Sequence, residues 1–297
     1  MKARSLALIA AAVFLLGSTA IAAPLNFTVP RVNDVMDLHG DPAGADLVLY
    51  VGGNQWMAMP DMIAAFQQAH PEVKHIFYET LPPGILAQQL TSDGLDVGEL
   101  HISAKADVYM SGARRMDEER RAGLVGAPVT YASNELVIIV PASNPKHVSG
   151  LRDLARPDVR VAMPNPQFEG IALQILAAYR AAGGDQLVAQ IMNAKVANGT
   201  TRLTRIHHRE SIAWIRDGSA DAGVVWLTEG LYQERIKSGI GMVKIPASQN
   251  IHAKCQAALV TNTPHAAAAQ AFVQFLASDA GQGIFRSYGF APPAVKE

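Results

Sequence analysis

Carboxylate and imidazole side chains recur in this 297-residue chain where short apolar runs end. The acids are Glu79 and Glu169, and the histidines are His101 and the adjacent pair His207 and His208. Such side chains are ordinary ligands for transition-metal ions, so a cation site is one hypothesis. The spacing supports it weakly, because adjacent histidines on a strand point in opposite directions and no His-x3-His pair occurs.

Hydrogen-bond donors in the same segments favour a ligand of the opposite charge. An oxyanion needs convergent amides, hydroxyls or cations. The candidates are Asn54, Gln55, Thr80, the backbone amides around Gly84 and Gly170, and the charged run His207, His208 and Arg209. Glu79 and Glu169 would repel a dianion unless they are protonated or paired. The residues alone therefore leave the sign of the ligand's charge open.

Three aromatic residues support a third possibility, a small charged organic ligand. Trp56, Phe168 and Trp226 can form an aromatic wall, and Glu79 or Glu169 can pair with an amine.

Motifs for catalysis are absent from the sequence. It contains no Gly-x-Ser-x-Gly elbow and no phosphate-binding P-loop. The single cysteine, Cys255, lies in an apolar run and reads as a buried hydrophobe, and one cysteine cannot form an internal disulfide. We expect no catalytic residues, no cofactor and no enzymatic activity.

The bulk composition describes a compact globular protein. Hydrophobic residues make up 49% of the chain and charged residues 17%, which argues against disorder. A formal net charge of −1 provides no basic surplus for nucleic acid. The length favours two domains.

The first 22 residues have the pattern of a cleavable signal peptide. Lys2 and Arg4 form a short positive region, an apolar run from Leu6 to Leu16 follows, and Ala20 and Ala22 supply small residues before the expected cleavage point. The run is too short to span a bilayer. We therefore expect export to a bacterial periplasm.

Short apolar runs then alternate with helical patterns, which is typical of α/β proteins. Strands are predicted at 47–51, 73–78, 107–110, 134–141, 159–163, 223–227 and 253–260. Helices are predicted from Pro60 to just before Pro71 and at 85–90, 170–182, 211–217, 266–276 and 280–285.

These elements divide into two α/β lobes joined by two crossing hinge strands. We expect one discontinuous lobe at 23–135 and 250–297, a second at 141–245, and a hinge region at 136–140 and 246–249. Loops at the carboxyl ends of the strands of both lobes would then face one cleft, where ligands of open α/β sheets bind.

Several short motifs follow one another in an order that resembles a known protein family. They are LVLYV at 47–51, LAQQL at 86–90, ADVYMS at 106–111, the strand at 134–141, ADAGVVW at 220–226, FVQFL at 272–276 and YGF at 288–290. This order resembles the periplasmic molybdate-binding proteins of ABC importers, in the type II solute-binding-protein superfamily. The resemblance spans nearly the whole chain after the signal peptide.

The resemblance implies a monomeric binding protein that captures a molybdate- or tungstate-type oxyanion between two lobes and delivers it to an ABC permease in the inner membrane. The residues expected to line its cleft are Asn54, Gln55, Trp56, Glu79, Thr80, Glu169, Gly170, His208 and Trp226. The family offers serine hydroxyls from the first two loops. Here Gly52 to Trp56 and Glu79 to Gly84 contain no serine.

Two further possibilities remain at the level of sequence. The same fold can bind a transition-metal ion, for which the candidate ligands are Glu79, His101, Glu169, His207 and His208. The same fold can also serve as a ligand sensor for a membrane signalling protein, since fold alone does not decide function.

Overall fold

The computed structural model describes residues 36–92, 94–97, 100–167, 169–205 and 207–293. The predicted signal peptide lies outside the described residues, and so does Phe168 of the proposed aromatic wall.

The strands form two main sheets and one hairpin. They are β1 (Leu38–His39), β2 (Leu47–Val51), β3 (Ile76–Glu79), β4 (Leu95–Val97), β5 (Leu100–Ile102), β6 (Val108–Gly112), β7 (Val129–Asn134), β8 (Leu136–Pro141), β9 (Val161–Met163), β10 (Thr201–Leu203), β11 (Ala222–Trp226), β12 (Ile240–Lys244) and β13 (Ala253–Leu259). The first sheet has the order β1-β3-β2-β6-β13-β7 and the second β10-β9-β11-β8-β12, while β4 and β5 pair only with each other.

Helices cover both sheets. They are α1 (Met59–Ala69), α2 (Pro83–Gln89), α3 (Ala113–Arg121), α4 (Gly170–Ala189), α5 (Lys195–Ala197), α6 (Glu210–Arg216), α7 (Leu227–Arg235), α8 (Ala266–Ala277) and α9 (Asp279–Ser287). None of the helices in the described part of the chain has the length and apolar character needed to cross a bilayer.

The first sheet is buried on both faces, as parallel strands in α/β proteins usually are. Along β2, Leu47, Leu49 and Val51 pack into one core with residues of α1, α8 and α9. Val48 and Tyr50 point to the opposite face, into a core shared with α2 and α3. An apolar strand between two helical layers therefore holds the turn that follows it, at Gly52 and beyond.

The second sheet is built in the same way around β8, which pairs antiparallel with β11 on one side and β12 on the other. Leu136, Ile138 and Val140 pack with Ile175 of α4. Val137 and Ile139 pack on the other face with residues of α6.

The chain passes between the sheets at two places. The strand predicted at 134–141 corresponds to β8 in the second sheet, and it includes only the last residue of β7, a strand of the first sheet that was not predicted. Only Glu135 separates β7 from β8. Residues 136–140, expected to form part of a hinge, therefore pair within the second sheet, 136–139 with β11 and 137–140 with β12. The return passage lies between Lys244 at the end of β12 and Ala253 at the start of β13.

Candidate ligand-binding cleft

A cavity of about 530 Å³ opens between the loops of the two sheets. The first sheet contributes the segments after β2, β3 and β6, and the second contributes those after β9 and β10 and the last residue of β11. Six of the predicted site residues line it, namely Asn54, Gln55, Glu169, Gly170, His208 and Trp226. The volume falls within the range of about 300–1,000 Å³ that is usual for small-molecule sites.

The turn after β2 presents polar groups from the first sheet. Gly53–Gln55 form one short 3-10 turn, and Gln55 is buried. The Tyr131 hydroxyl donates a hydrogen bond of 2.5 Å to Gln55 Oε1. This bond fixes the orientation of the Gln55 amide and leaves its nitrogen as the donor.

Helices α3 and α4 both begin at the cavity. Gly112 and Ala113 line it at the start of α3, and Glu169 and Gly170 at the start of α4. No side chain of the described residues caps the first amides of either helix. The first N–H groups of a helix have no partner within the helix and carry its positive dipole end, so both helices direct donors at the cleft.

Charged side chains around the cavity are mixed in sign. The cationic ones are Arg114, Arg115, Lys254 and His208, and the acids are Glu118 and Glu169. Glu118 is neutralised locally, because Arg114 Nε lies 3.1 Å from its Oε1 and Arg115 Nη1 lies 2.9 Å from its Oε2. Arg114 and Arg115 of helix α3 therefore reach the cleft.

His208 sits between two buried glutamates. Its Nδ1 lies 3.2 Å from Glu169 Oε2, and its Nε2 lies 2.8 Å from Glu229 Oε1. Burial alone lowers the pKa of His208, but the charges of Glu229 and Glu169 outweigh it and raise the pKa to about 9. A protonated His208 therefore offsets part of the negative charge at Glu169 and Glu229, which weakens the main objection to an anionic ligand.

His207 has the opposite electrostatic environment. Burial, with the nearby charges of Arg209 and His208, lowers the pKa of His207 well below its usual range. The Arg209 backbone N–H donates to His207 Nδ1 at 3.2 Å. A neutral imidazole with an occupied Nδ1 acceptor carries its proton on Nε2.

Arg209 extends from the second sheet's loop to the first sheet. Its Nη1 donates to Asp37 Oδ1 at 2.6 Å, and its Nη2 donates to the carbonyl oxygens of Gly53 and Thr80 at 2.5 and 3.2 Å. All of these groups are buried or belong to the turn beside the cavity. The side chain therefore ties the two walls of the cleft together.

The described lining of the cavity leaves out three residues that the sequence placed there, Glu79, Thr80 and Trp56. Glu79 is fully buried and accepts a hydrogen bond of 3.3 Å from Gln89 Nε2 of α2. Burial raises the pKa of Glu79 to about 7. The Thr80 hydroxyl donates to Asp37 at 2.8 Å, and Trp56 stacks edge-on against Tyr232 at 4.8 Å.

Three of the five proposed metal ligands come together. Glu169, His207 and His208 each offer an atom within 4.8 Å of the others. Glu79 is not part of this cluster. His101 lies exposed on the β4–β5 hairpin, where its Nδ1 is 2.7 Å from Asp96.

Sequence reasoning missed two residues that organise this region, Glu229 and Asp37. Glu229 lies in the first turn of α7, a helix that the apolar pattern did not predict. Asp37 precedes a two-residue strand. Both are buried acids, and buried acids require partners, but no spacing rule connects them to His208 or Arg209.

Comparison with known proteins identifies the family to which this chain belongs. Residues 47–291 match the family model for bacterial extracellular solute-binding proteins. The chain belongs to this family. It is 25% identical over 258 residues to the molybdate-binding protein ModA of Mycobacterium bovis, covering 86% of this chain and 88% of that protein.

Two solved structures show the fold of this solute-binding protein. The sulfate-binding protein SubI of Mycobacterium tuberculosis superposes with a TM-score of 0.67 at 22% identity, covering 84% of this chain and 86% of that one. The periplasmic molybdate-binding protein of Azotobacter vinelandii gives 0.66 at 18% identity, covering 83% and 99%. Neighbours of this kind have two lobes, so we call the first sheet with its helices lobe 1 and the second sheet with its helices lobe 2.

The chain is thus an extracytoplasmic solute-binding protein of the ABC-transporter type, as its motif order predicted.

Proposed function

We propose that this protein captures a small tetrahedral oxyanion in the cleft, the class to which the molybdate and sulfate named for its relatives belong. The observation that carries the proposal is the convergence of α3 and α4 on one cavity with their first amides uncapped. Helix amino termini of this kind bind anions through N–H groups and the helix dipole.

The charges around the cavity support the same ligand. Arg114, Arg115 and Lys254 line it, Glu118 is paired within α3, and His208 offsets Glu169. The remaining acid of concern, Glu79, is buried away from the described lining. An anion therefore meets an excess of positive charge on entering the cleft.

Ligand binding is proposed to close the lobes. Lobe 1 would comprise 23–135 and 250–297 and lobe 2 about 141–245, as the sequence predicts. An anion held by α3 of lobe 1 and α4 of lobe 2 contacts both lobes only when they are together, so it stabilises the closed state. We further propose that the signal peptide directs a monomer to the periplasm, where an ABC permease recognises the closed form, and that the protein has no catalytic activity.

A thermal-shift panel tests the ligand class. The mature, dialysed protein is heated with molybdate, tungstate, sulfate or phosphate. A ligand at about a thousand times its Kd adds about 4 kcal/mol to the free energy of unfolding. For a chain of this size that corresponds to a rise in Tm of about 10 °C. The absence of a shift with all four anions would overturn the proposal.

Gly170 provides a matched pair of variants for the same panel. Gly170→Pro removes one amide donor at the first position of α4, where proline is favoured, and the extended backbone of Glu169 (φ −100°, ψ 113°) accepts a following proline. Gly170→Ala retains the amide, and its methyl group meets no atom within 4 Å. We expect the proline variant to bind about 10- to 150-fold more weakly and the alanine variant to bind normally.

The cavity volume favours a second candidate, an organic anion larger than a bare oxyanion. Citrate and a phosphate monoester are therefore included in the panel. Stabilisation by one of these alone, still reduced by Gly170→Pro, would assign the site to organic anions.

A further inference from the structure

Glu169, His207 and His208 are residue types that bind metal ions, but their histidine nitrogens have no lone pair available for a metal. A metal ion needs a deprotonated nitrogen from each histidine. Both nitrogens of His208 face carboxylates, at 3.2 Å for Glu169 and 2.8 Å for Glu229. The amide of Arg209 occupies His207 Nδ1, so His207 Nε2 bears a proton and offers a donor.

Two atoms of this cluster lack hydrogen-bond partners among the described residues, Glu169 Oε1 and His207 Nε2. Glu169 is 2% exposed and His207 is 1% exposed. Buried polar atoms are almost always paired, and leaving one unpaired costs about 1–3 kcal/mol. One of the two atoms is an acceptor and the other a donor, and Glu169 itself lines the cleft. A hydroxyl group satisfies both, because it accepts one hydrogen bond and donates another.

We propose that the ligand of this cleft carries a hydroxyl proton, and that Glu169 selects a protonated oxyanion such as hydrogen phosphate over sulfate and molybdate. This inference rests on the oxyanion function proposed above. At neutral pH sulfate and molybdate are fully ionised and present only acceptors, whereas inorganic phosphate retains at least one O–H group.

The discrimination follows from the chemistry of Glu169 Oε1. A P–O–H group donates to this oxygen, and the α4 amides beside it hold the ionised oxygens. A fully ionised anion in the same position sets an oxygen lone pair against a carboxylate, and like charges brought together in a buried site are strongly unfavourable. His207 is not part of the described lining, but its Nε2 lies against Gly53, which does line the cavity. This N–H can therefore donate to a hydroxyl oxygen held by Glu169.

Isothermal titration of the dialysed protein with phosphate, sulfate and molybdate measures the selectivity. We expect phosphate to bind at least about 100-fold more tightly than the other two, since sites built around a ligand hydroxyl strongly reject analogues that lack it. Sulfate or molybdate binding as tightly as phosphate would overturn the inference and leave the oxyanion function intact. Failure of all three to bind, together with the absence of a thermal shift with tungstate, would remove the proposed function itself.

Glu169→Gln tests the residue, because its amide can donate to an ionised oxygen. We expect phosphate affinity to fall and sulfate affinity to rise, so that the ratio of the two changes by about 100-fold or more. Glu234→Gln is the matched control, since Glu234 is an exposed glutamate on α7 that does not line the cavity. It should leave the affinities for both anions and their ratio unchanged. An unchanged ratio in Glu169→Gln contradicts the assignment.

His207→Asn supplies a second, independent variant. The asparagine oxygen can replace Nδ1 as acceptor for the Arg209 amide, while the Nε2 donor is lost. We expect phosphate to bind about tenfold more weakly. Wild-type phosphate affinity in this variant would show that His207 does not contact the ligand.

Discussion

Two glutamates that look alike in the sequence have different environments in the fold. Glu169 lines the cleft and shares His208 with Glu229. Glu79 is fully buried at the end of β3, with Gln89 as hydrogen-bond donor and Asp37 near enough to raise its pKa further. The first glutamate therefore lies at the ligand site, and the second is a buried acid whose ionisation opposes folding.

Glu79→Gln should change how stability depends on pH. Burial raises the pKa of Glu79 from 4.5 to about 7, so the unfolded chain releases this proton more readily than the folded one. Wild-type stability then falls as pH rises from about 4.5 to 7 and levels off above that, by about 3 kcal/mol in total. Glutamine does not titrate. The variant should gain about that much stability over wild type between pH 4.5 and 8, measured by urea unfolding.

Glu234→Gln is the control for this titration, because Glu234 is an exposed glutamate on α7. Its stability should follow the wild-type pH profile. A constant difference between Glu79→Gln and wild type across the range would mean that Glu79 ionises normally in the folded protein.

The sequence could not show that Glu79 and Glu169 lie in different environments. Both follow apolar strands, and the carboxyl ends of such strands form the ligand edge of an α/β sheet. Glu79 is instead the last residue of β3, and in the sheet it is paired with Leu38 of the two-residue strand β1. An apolar run shows that a strand is present. The face of the sheet on which its last residue lies depends on the neighbouring strand, and β1 is too short to recognise from the sequence.

Elements with a strong apolar pattern were predictable and those without it were not. The pattern correctly located β2, α1, β11 and α8, whose buried residues repeat at strand or helix spacing. It missed β12 and α7, and with α7 it missed Glu229. Helix α7 carries Gly230 and mixed charges, and tertiary packing rather than local propensity holds it.

The turn between β2 and α1 is the element most sensitive to added volume. A Cβ on Gly53 would lie 2.4 Å from His207 Nε2 and 3.0 Å from the Thr80 carbonyl oxygen. Such contacts are too short, so Gly53→Ala must push the turn of lobe 1 away from the loop of lobe 2. We expect ligand affinity to fall by about 5- to 150-fold, which corresponds to about 1–3 kcal/mol lost from closure.

Gly112→Ala gives the matched comparison. Gly112 also lines the cleft, at the start of α3, but an added Cβ meets no atom within 4 Å. Titration calorimetry should find wild-type affinity in this variant. Equal effects of the two alanines would indicate that the cleft tolerates no added methyl group, rather than that Gly53 controls the approach of the lobes.

At the scale of the whole molecule, contacts between the lobes do not depend on the ligand alone. Asn134 Nδ2 of lobe 1 donates to Thr228 Oγ1 of lobe 2 at 2.9 Å, and Trp56 packs edge-on against Tyr232. Arg209 adds the only one of these contacts that carries a charge, and its partner Asp37 is fully buried. The two-lobe arrangement was predictable from motif order, whereas these bridging side chains are distant in sequence and follow no pattern.

Arg209→Met should shift the molecule toward an open form. Removing the guanidinium from a buried Asp37 would cost about 3–5 kcal/mol in a rigid fold. Opening of the lobes admits water to Asp37, so the measured loss of unfolding free energy should be smaller than this, while ligand affinity falls. Small-angle scattering should show a larger radius of gyration than wild type at the same ligand concentration.

Arg205→Met is the control, because Arg205 lies in the same loop but pairs with Glu210 of its own lobe at 3.0 Å. Identical radii for Arg209→Met, Arg205→Met and wild type would show that closure does not depend on the Arg209–Asp37 contact. In a double-mutant cycle with Asp37→Asn, a coupling free energy of about 0.5–3 kcal/mol assigns the effect to this pair.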